Sequence, residues 1–191
     1  MSAPFTVYLL LDVSRSMAGA PLEAMKNGVD VLLSALRADE VLAARSEVCI
    51  LSFGSDAHVS LPPTPAAEAT VPELRAGGGT ALGAALELLC RERARREAET
   101  GGESVLPPAV VLFTDGYPTD DTDAPLAVFR NRAWGVRAAC AAGGGCDTDL
   151  LEEIAPGRVV ELSSADWASI ASFFADASED VRRETGGEEV A

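Results

Sequence analysis

Histidine and lysine are almost absent from this 191-residue chain, which contains one of each, His58 and Lys26. A Ser/His/Asp triad needs a histidine within reach of both other groups. We find no plausible partners for His58 and expect it to be structural or solvated, on an edge strand. The glycine run 77–79 lacks the Gly-Lys-Ser/Thr ending of a phosphate-binding P-loop, and Gly19 stands alone where a dinucleotide site needs GxGxxG. These absences argue against three common classes of enzyme site.

Long apolar runs are also missing. The apolar run after Met1 ends at Asp12, too early for the apolar part of a signal peptide. No stretch reaches the roughly 18 apolar residues of a membrane span. We therefore expect a soluble, cytoplasmic protein.

Cysteine is scarce, and its spacing predicts neither a disulfide framework nor a zinc site. The four residues are Cys49, Cys90, Cys140 and Cys146. No CxxC or Cys/His spacing occurs among them, and the first three lie in apolar strand-like or helix-like runs. We interpret those three as small buried apolar side chains in a reducing compartment. A redox role for Cys140 with Cys146 is the alternative.

Positive charge is in short supply, because 30 acidic side chains face 15 basic ones and the formal net charge is −15. Such a field repels nucleic acid and anionic lipid, so we expect neither a nucleic-acid partner nor a membrane. It favours cations and basic protein surfaces. Simple solubility explains the acidity equally well.

Short apolar runs alternate with segments of helical periodicity along the chain. The predicted strands are Phe5–Asp12, Glu47–Phe53, Ala57–Leu61, Pro108–Asp115, Trp134–Ala142 and Gly157–Leu162. The predicted helices are about Pro21–Ala38, the stretch after the glycine run to Glu99, Leu126–Arg132, Thr148–Ala155 and Asp166–Arg183. This alternation predicts an α/β, doubly wound, mostly parallel six-stranded sheet with helices on both faces. The Gly54–Asp56 turn predicts a hairpin, and hence one antiparallel edge strand. We expect one domain over 1–183 and a flexible C-terminal tail over 184–191.

Oxygen-bearing side chains follow the first predicted strand. Asp12, Ser14 and Ser16 occupy alternate positions in "DVSRSM". A carboxylate and two hydroxyls on one loop suit a hard divalent cation. A helix-capping turn would use the same residue types.

Two further segments supply a hydroxyl and a carboxylate. Thr80 follows the glycine run, where it is also a good helix N-cap. Asp115 ends the strand "PAVVLFTD", where a simple Asp-Gly turn is the alternative. Asp12 and Asp115 should lie close together, because both fall at carboxyl ends of neighbouring parallel strands. A divalent cation would relieve the repulsion between the two carboxylates.

The three segments "LLLDVSRSM", "GGGTALGAAL" and "FTDGYPTDD" resemble the metal-ion-dependent adhesion site of von Willebrand factor A domains. Their order and spacing are similar to those of the TerY-like bacterial branch, associated with tellurite resistance and stress response. The resemblance implies that Ser14 and Ser16 bind the metal directly, and Thr80 directly or through water. Asp12 and Asp115 would act mostly through bound waters. No member of the site is missing.

The resemblance also implies a function. Such a domain leaves one metal position for a Glu or Asp of a protein partner, so we expect a binding module and not an enzyme. We expect Mg²⁺ first, with Ca²⁺ or Mn²⁺ as alternatives. The TerY-like branch implies a scaffold beside kinase or phosphatase components. Acidic residues at 120, 121 and 123 either select a basic partner surface or form a solvated loop.

A metal-dependent phosphatase-like hydrolase is the competing function. Haloacid dehalogenase-type phosphatases place a second aspartate two residues after the strand-end nucleophile. Ser14 occupies that position here, and Lys26, the only lysine, is not at a matching place. The second aspartate and the lysine expected of that chemistry are therefore absent.

Overall fold

The structure, a computed structural model, describes residues 4–101, 106–163 and 166–186. The strands are β1 Phe5–Asp12, β2 Ser46–Phe53, β3 Ala57–Pro65, β4 Ala109–Thr114, β5 Arg137–Ala142 and β6 Val159–Leu162. The helices are α1 Ala20–Ala38, α2 Glu40–Arg45, α3 Leu82–Glu99, α4 Asp123–Arg130, α5 Thr148–Ile154 and α6 Trp167–Gly186. A short 3-10 helix, Arg15–Met17, joins β1 to α1.

The strands form a six-stranded sheet in the order β3-β2-β1-β4-β5-β6. The β2–β3 pair is antiparallel and all other pairs are parallel. Every residue of β1, β2 and β4 is buried, as expected for strands covered on both faces. The predicted fold class is confirmed, including the antiparallel edge strand.

Side chains of β1 alternate between two apolar cores, because successive residues of a strand point to opposite faces. Val7, Leu9 and Leu11 join the core that includes residues of α1 and α6. Tyr8 and Leu10 join the core built with α3, α4 and α5. The two layers of helices thus fix the sheet from both sides. Among the described residues, none of the helices combines the length and apolar character that a bilayer crossing requires.

Several boundaries differ from the sequence prediction. Helix α2 was not predicted; it begins at once after α1 because the Asp39 carboxylate caps it, accepting from the N–H groups of Val41 and Leu42. Strand β3 continues to Pro65, beyond the predicted end at Leu61. An edge strand tolerates prolines because only one of its sides must supply N–H donors.

The other differences lie in the second half of the chain. Strand β5 begins at Arg137 and not at Trp134, whose indole N–H donates to the carbonyl of Phe129 while the two rings stack. Helix α4 covers Asp123–Arg130 instead of the predicted 126–132. Helix α6 continues through Gly186, into the segment predicted as a tail. The rest of that predicted tail, 187–191, lies outside the described residues.

Candidate functional site

The candidate site lies where β1 and β4 end. These two strands are parallel neighbours, with Leu11 opposite Phe113. Asp12 is the last residue of β1, and Asp115 directly follows β4. The sheet therefore brings together two carboxylates that are 103 positions apart in sequence, as their strand-end positions predict.

The two serine hydroxyls meet the Asp115 carboxylate. Ser16 Oγ donates to Asp115 Oδ1 at 2.7 Å, and Ser14 Oγ lies 3.4 Å from the same oxygen. The two hydroxyl oxygens are 3.0 Å apart. A hydroxyl has one proton and two lone pairs, so a serine that donates to Asp115 still has lone pairs for a cation. The serine and aspartate oxygens thus form one cluster.

Asp12 lies beneath this cluster and is completely buried. Its Oδ2 accepts a hydrogen bond from Thr114 Oγ1 at 2.6 Å, and its Oδ1 accepts one from the Ser14 backbone N–H at 2.7 Å. Burial raises the pKa of the Asp12 carboxyl, while the hydrogen bonds from Thr114 and Ser14 lower it. The nearby Asp115 charge also raises this pKa. A cation beside the two carboxylates would favour the ionised form.

Thr80 places a third hydroxyl against the Asp115 loop. Its side chain is 6% exposed, yet its hydroxyl has no hydrogen-bond partner in the described part of the chain. A Cβ built on Gly116, the residue after Asp115, would lie 3.1 Å from Thr80 Oγ1. The N-cap of α3 is Ala81, so Thr80 does not serve as the helix cap that its residue type suggests. No fully buried side-chain oxygen of the described residues lacks a partner, so the Thr80 oxygen reaches solvent, and an accessible hydroxyl without a protein partner fits a metal ligand.

The segment after Asp115 is bound to the start of α3 by four hydrogen bonds. Thr119 Oγ1 accepts from the Thr80 N–H at 3.0 Å, and the Thr119 N–H donates to the Thr80 carbonyl at 2.9 Å. The Asp120 carboxylate accepts from the N–H groups of Gly83 and Ala84 at 3.0 and 2.8 Å. We call this pair, Thr119 with Asp120, the latch.

The latch changes the interpretation of the acidic loop. Asp120 is not a purely solvated charge, because its carboxylate caps α3 from a distant loop. The sequence carries one signal for it: Ala81 has no side chain that can cap a helix, so the cap must come from elsewhere. Among the described residues, the Asp121 carboxylate accepts only from the Asp123 N–H, at 3.0 Å and within its own turn.

The glycine run 77–79 leads into Thr80, and it binds the segment 13–16 that carries Ser14 and Ser16, which we call the serine loop. The Gly77 N–H donates to the Val13 carbonyl at 2.7 Å, and the Arg15 N–H donates to the Gly78 carbonyl at 3.2 Å. Gly78 has a φ of +80°, and a Cβ there would meet the Ser55 backbone nitrogen at 2.8 Å. Glycine is thus required for the backbone to come this close.

The donor set is two carboxylates and three hydroxyls. Within the described ranges, no group of three or more His, Cys, Asp and Glu side chains is placed to hold a metal, so a carboxylate-rich or thiolate cluster is not formed there. Hydroxyl and carboxylate oxygens are the donors that hard cations such as Mg²⁺ and Ca²⁺ prefer. The residues therefore fit one hard divalent cation, and their role as its ligands stays a prediction.

The four cysteines and the histidine supply none of the predicted metal ligands. All four thiols are buried and none forms a disulfide, while Cys146 Sγ donates to the Thr114 carbonyl beside the site at 3.5 Å. His58 is exposed on β3, the edge strand where it was expected. On the rim of the site, Tyr117 is 61% exposed. Arg15, between Ser14 and Ser16, is exposed as well.

Sequence and structure comparisons identify the family and agree with the fold. The family described as the von Willebrand factor type A domain matches residues 7–118. No curated protein matches the sequence. A von Willebrand factor type A protein from Catenulispora acidiphila has a similar fold, with a TM-score of 0.70 and 23% identity, over 92% of this chain and 42% of that one.

Two further solved structures are similar. The protein BatB from Bacteroides thetaiotaomicron has a TM-score of 0.67 and 19% identity, over 95% of this chain and 99% of that one. Proximal thread matrix protein 1 from the mussel byssus has been solved with zinc in its metal-ion-dependent adhesion site (MIDAS) motif. It has a TM-score of 0.64 and 19% identity, over 93% of this chain and 46% of that one. The chain spans less than half of the Catenulispora and mussel proteins.

Proposed function

The chain belongs to the von Willebrand factor type A domain family, and from that premise we propose that it holds one divalent cation and presents it to a carboxylate of a protein partner. The convergence of the Ser14, Ser16 and Asp115 oxygens, with distances of 2.7 to 3.4 Å, is the observation that carries this proposal. The unpartnered hydroxyl of Thr80 supports it. Oxygen atoms from two distant segments, the one after β1 and the one after β4, converge for a reason that helix capping does not supply.

We assign the residues the following roles. Ser14 and Ser16 bind the cation through their hydroxyls, with Thr80 binding directly or through water. Asp12 and Asp115 hold bound waters and orient the serines. With few anionic atoms in direct contact, the cation stays attractive to an incoming Glu or Asp despite the net charge of −15.

We propose Mg²⁺ as the cation, with Ca²⁺ or Mn²⁺ as alternatives. The donors are hydroxyls and carboxylates, which favour hard cations over zinc. The mussel protein has been solved with zinc in its motif, which supports a divalent cation in general.

We further propose that the chain is not an enzyme. A phosphatase-type nucleophile must reach its substrate, whereas the Asp12 carboxylate is fully buried and both its oxygens accept hydrogen bonds. The metal-loaded protein should not turn over phosphate esters or nucleotides. Sustained metal-dependent turnover that Asp12→Ala abolishes would instead support a hydrolase.

The biological setting is a proposal from sequence resemblance. The motif segments resemble the TerY-like branch, so we propose a cytoplasmic scaffold in a bacterial tellurite-resistance or stress-signalling complex. Kinase or phosphatase components of such a system are the partners we would test first. A pull-down with and without a chelator identifies partners that need the metal.

Metal titration of a serine variant tests the site directly. Changing Ser14 and Ser16 together to Ala should abolish Mg²⁺ and Mn²⁺ binding in calorimetry and leave the circular dichroism spectrum unchanged. Ser34→Ala, which removes an exposed hydroxyl on α1, is the matched control and should bind as wild type does. If the double variant binds metal as tightly as wild type, the proposed site is wrong.

A further inference from the structure

On the basis of the proposed function, we propose that Arg15 makes the site selective for ligands with a second carboxylate beside the one that reaches the metal. Arg15 lies between Ser14 and Ser16, in the short 3-10 helix after β1. Its backbone N–H is held by the Gly78 carbonyl, whereas its side chain is exposed. The backbone is therefore fixed at the rim of the site while the guanidinium is available to a ligand.

Most basic side chains of the described residues form an ion pair with a carboxylate. Eleven of the 15 lysine and arginine side chains form an ion pair with a carboxylate of the described residues. The four that form none there are Arg15, Arg45, Arg91 and Arg137.

Only one of these four lies at the rim of the site. Arg137 begins β5 and Arg45 directly precedes β2. Both therefore lie where the parallel strands begin, whereas the site lies where these strands end. Arg91 lies midway along α3. Within the described residues, Arg15 is thus the one unpaired cation at the edge where β1 and β4 end.

Four aspartates of the loops at this end of the sheet accept hydrogen bonds, and none of them forms an ion pair with Arg15. Asp12 accepts from Thr114 and Ser14, and Asp115 accepts from the serines. Asp120 caps α3, and Asp121 closes its own turn. Arg15 therefore keeps its charge for an incoming anion.

The chemistry of that anion follows from the guanidinium group. Its planar donors match a carboxylate with two parallel hydrogen bonds, which gives geometric selection as well as attraction. A chain with 15 excess negative charges repels an acidic ligand at long range. A single carboxylate has only the metal to offset that repulsion, whereas a pair of adjacent acidic side chains engages the metal and Arg15 together. We therefore expect the partner segment to contain two neighbouring Glu or Asp residues.

Two blocked peptides test this selectivity on the Mn²⁺-saturated protein. Acetyl-Gly-Glu-Gly-Gly-amide offers one carboxylate, and acetyl-Gly-Glu-Glu-Gly-amide offers two. Affinity is measured by calorimetry, and water-proton relaxation reports whether a carboxylate displaces water from the bound Mn²⁺. Wild type should bind the two-carboxylate peptide roughly tenfold more tightly, as expected for one added charge-assisted pair. Arg15→Gln should remove this preference and lower the affinity for the one-carboxylate peptide much less.

The controls separate this inference from the proposed function. Arg91→Gln removes an exposed unpaired arginine away from the site and should keep the preference, and Arg15→Lys should keep part of it. If wild type binds both peptides equally, or Arg15→Gln retains the preference, the role of Arg15 is wrong while the metal-dependent function stands. If Mn²⁺ binds but neither peptide displaces its water, both proposals are overturned.

Discussion

Thr80 and Thr119 exchange two hydrogen bonds although 39 positions separate them: the Thr80 N–H donates to Thr119 Oγ1, and the Thr119 N–H donates to the Thr80 carbonyl. Asp120, the next residue, caps α3 through Gly83 and Ala84. The loop that carries Asp115 is therefore fastened to the loop that carries Thr80. Metal affinity should depend on this latch, because it sets the separation of two predicted ligands.

Removal of the Asp120 carboxylate tests the latch. We expect Asp120→Ala to lower the free energy of unfolding by about 1 kcal/mol, since it removes a helix cap. It should also weaken Mg²⁺ binding several-fold, because Thr80 loses its fixed position relative to Asp115. Denaturant unfolding in a chelator measures the first effect, and calorimetry at a temperature where the variant is folded measures the second.

Asp121→Ala is the matched control, since it removes the same charge from the neighbouring position but only a hydrogen bond within the turn. It should change both quantities far less. Equal loss of metal affinity in the two variants would mean that charge alone, and not the latch, sets the affinity.

Thr80→Val tests the unpartnered hydroxyl. Valine has the shape of threonine, and the Thr80 hydroxyl has no hydrogen-bond partner among the described residues. We therefore expect the metal-free variant to be as stable as wild type or slightly more stable, because no hydrogen bond is lost. Metal affinity should nevertheless fall about tenfold or more, because one ligand oxygen is gone. Thermal unfolding with and without Mg²⁺ separates the two effects.

Thr80→Ser retains the hydroxyl and should retain most of the metal affinity. A Thr80→Val protein that binds Mg²⁺ as wild type does would remove Thr80 from the site. A large loss of metal-free stability would instead mean that the hydroxyl has a structural partner.

The sequence predicts the sheet well, and with it that Asp12 and Asp115 lie at ends of neighbouring strands, because both depend on local patterns. Strand β1 is continuously apolar and ends at Asp12, and the same holds for β4 before Asp115. Parallel pairing then places the two carboxylates at one edge. The position of Ser14 and Ser16 follows from their spacing after β1.

The features that the sequence does not predict depend on contacts between distant segments. Thr80 has the residue type of a helix cap, yet Asp120 performs that role from another loop. Similarly, α2 follows α1 without a connecting loop because the Asp39 side chain caps it. Local propensity does not report such tertiary contacts, so the latch became visible only in the structure.

Burial should make the cysteines unreactive. Burial raises the pKa of the Cys146 thiol to about 11, with smaller contributions from Asp115 and Asp12, and that of Cys140 to about 12, with a smaller contribution from Cys146. At pH 8 the thiolate fraction of Cys146 is then roughly a hundredfold below that of a thiol with the ordinary pKa. Alkylation by iodoacetamide at pH 8, followed by mass spectrometry, should be slow in the native protein and fast in urea.

The same shifts have a consequence for stability. The folded protein keeps these thiol protons to a higher pH than the unfolded chain does. Their contribution to the free energy of unfolding is therefore complete below about pH 9 and is lost as pH rises through about 11.

Rapid native labelling, or a Cys140–Cys146 disulfide formed on mild oxidation, would support the redox alternative.

Gly28 lies in α1 where this helix packs against α6. Replacement of a helical glycine by alanine usually stabilises a helix by about 1 kcal/mol. Here a Cβ would lie 2.9 Å from Phe174 Cε2 and 3.1 Å from Ile170 Cγ2. Phe174 is fully buried and stacks on Phe113, with ring centroids 6.0 Å apart, so its ring has little room to move. Overpacking of this kind destabilises by roughly 1–3 kcal/mol, which exceeds the gain in helix propensity.

We therefore expect Gly28→Ala to lower the free energy of unfolding by up to about 2 kcal/mol, the difference between these two effects. Denaturant unfolding measures the change. Gly144→Ala is the control, because a Cβ at that position meets no atom within 4 Å and its φ is not positive. It should be neutral. A Gly28→Ala protein more stable than wild type would show that α6 shifts at little cost, and that the contact between α1 and α6 is looser than the packing around Phe174 indicates.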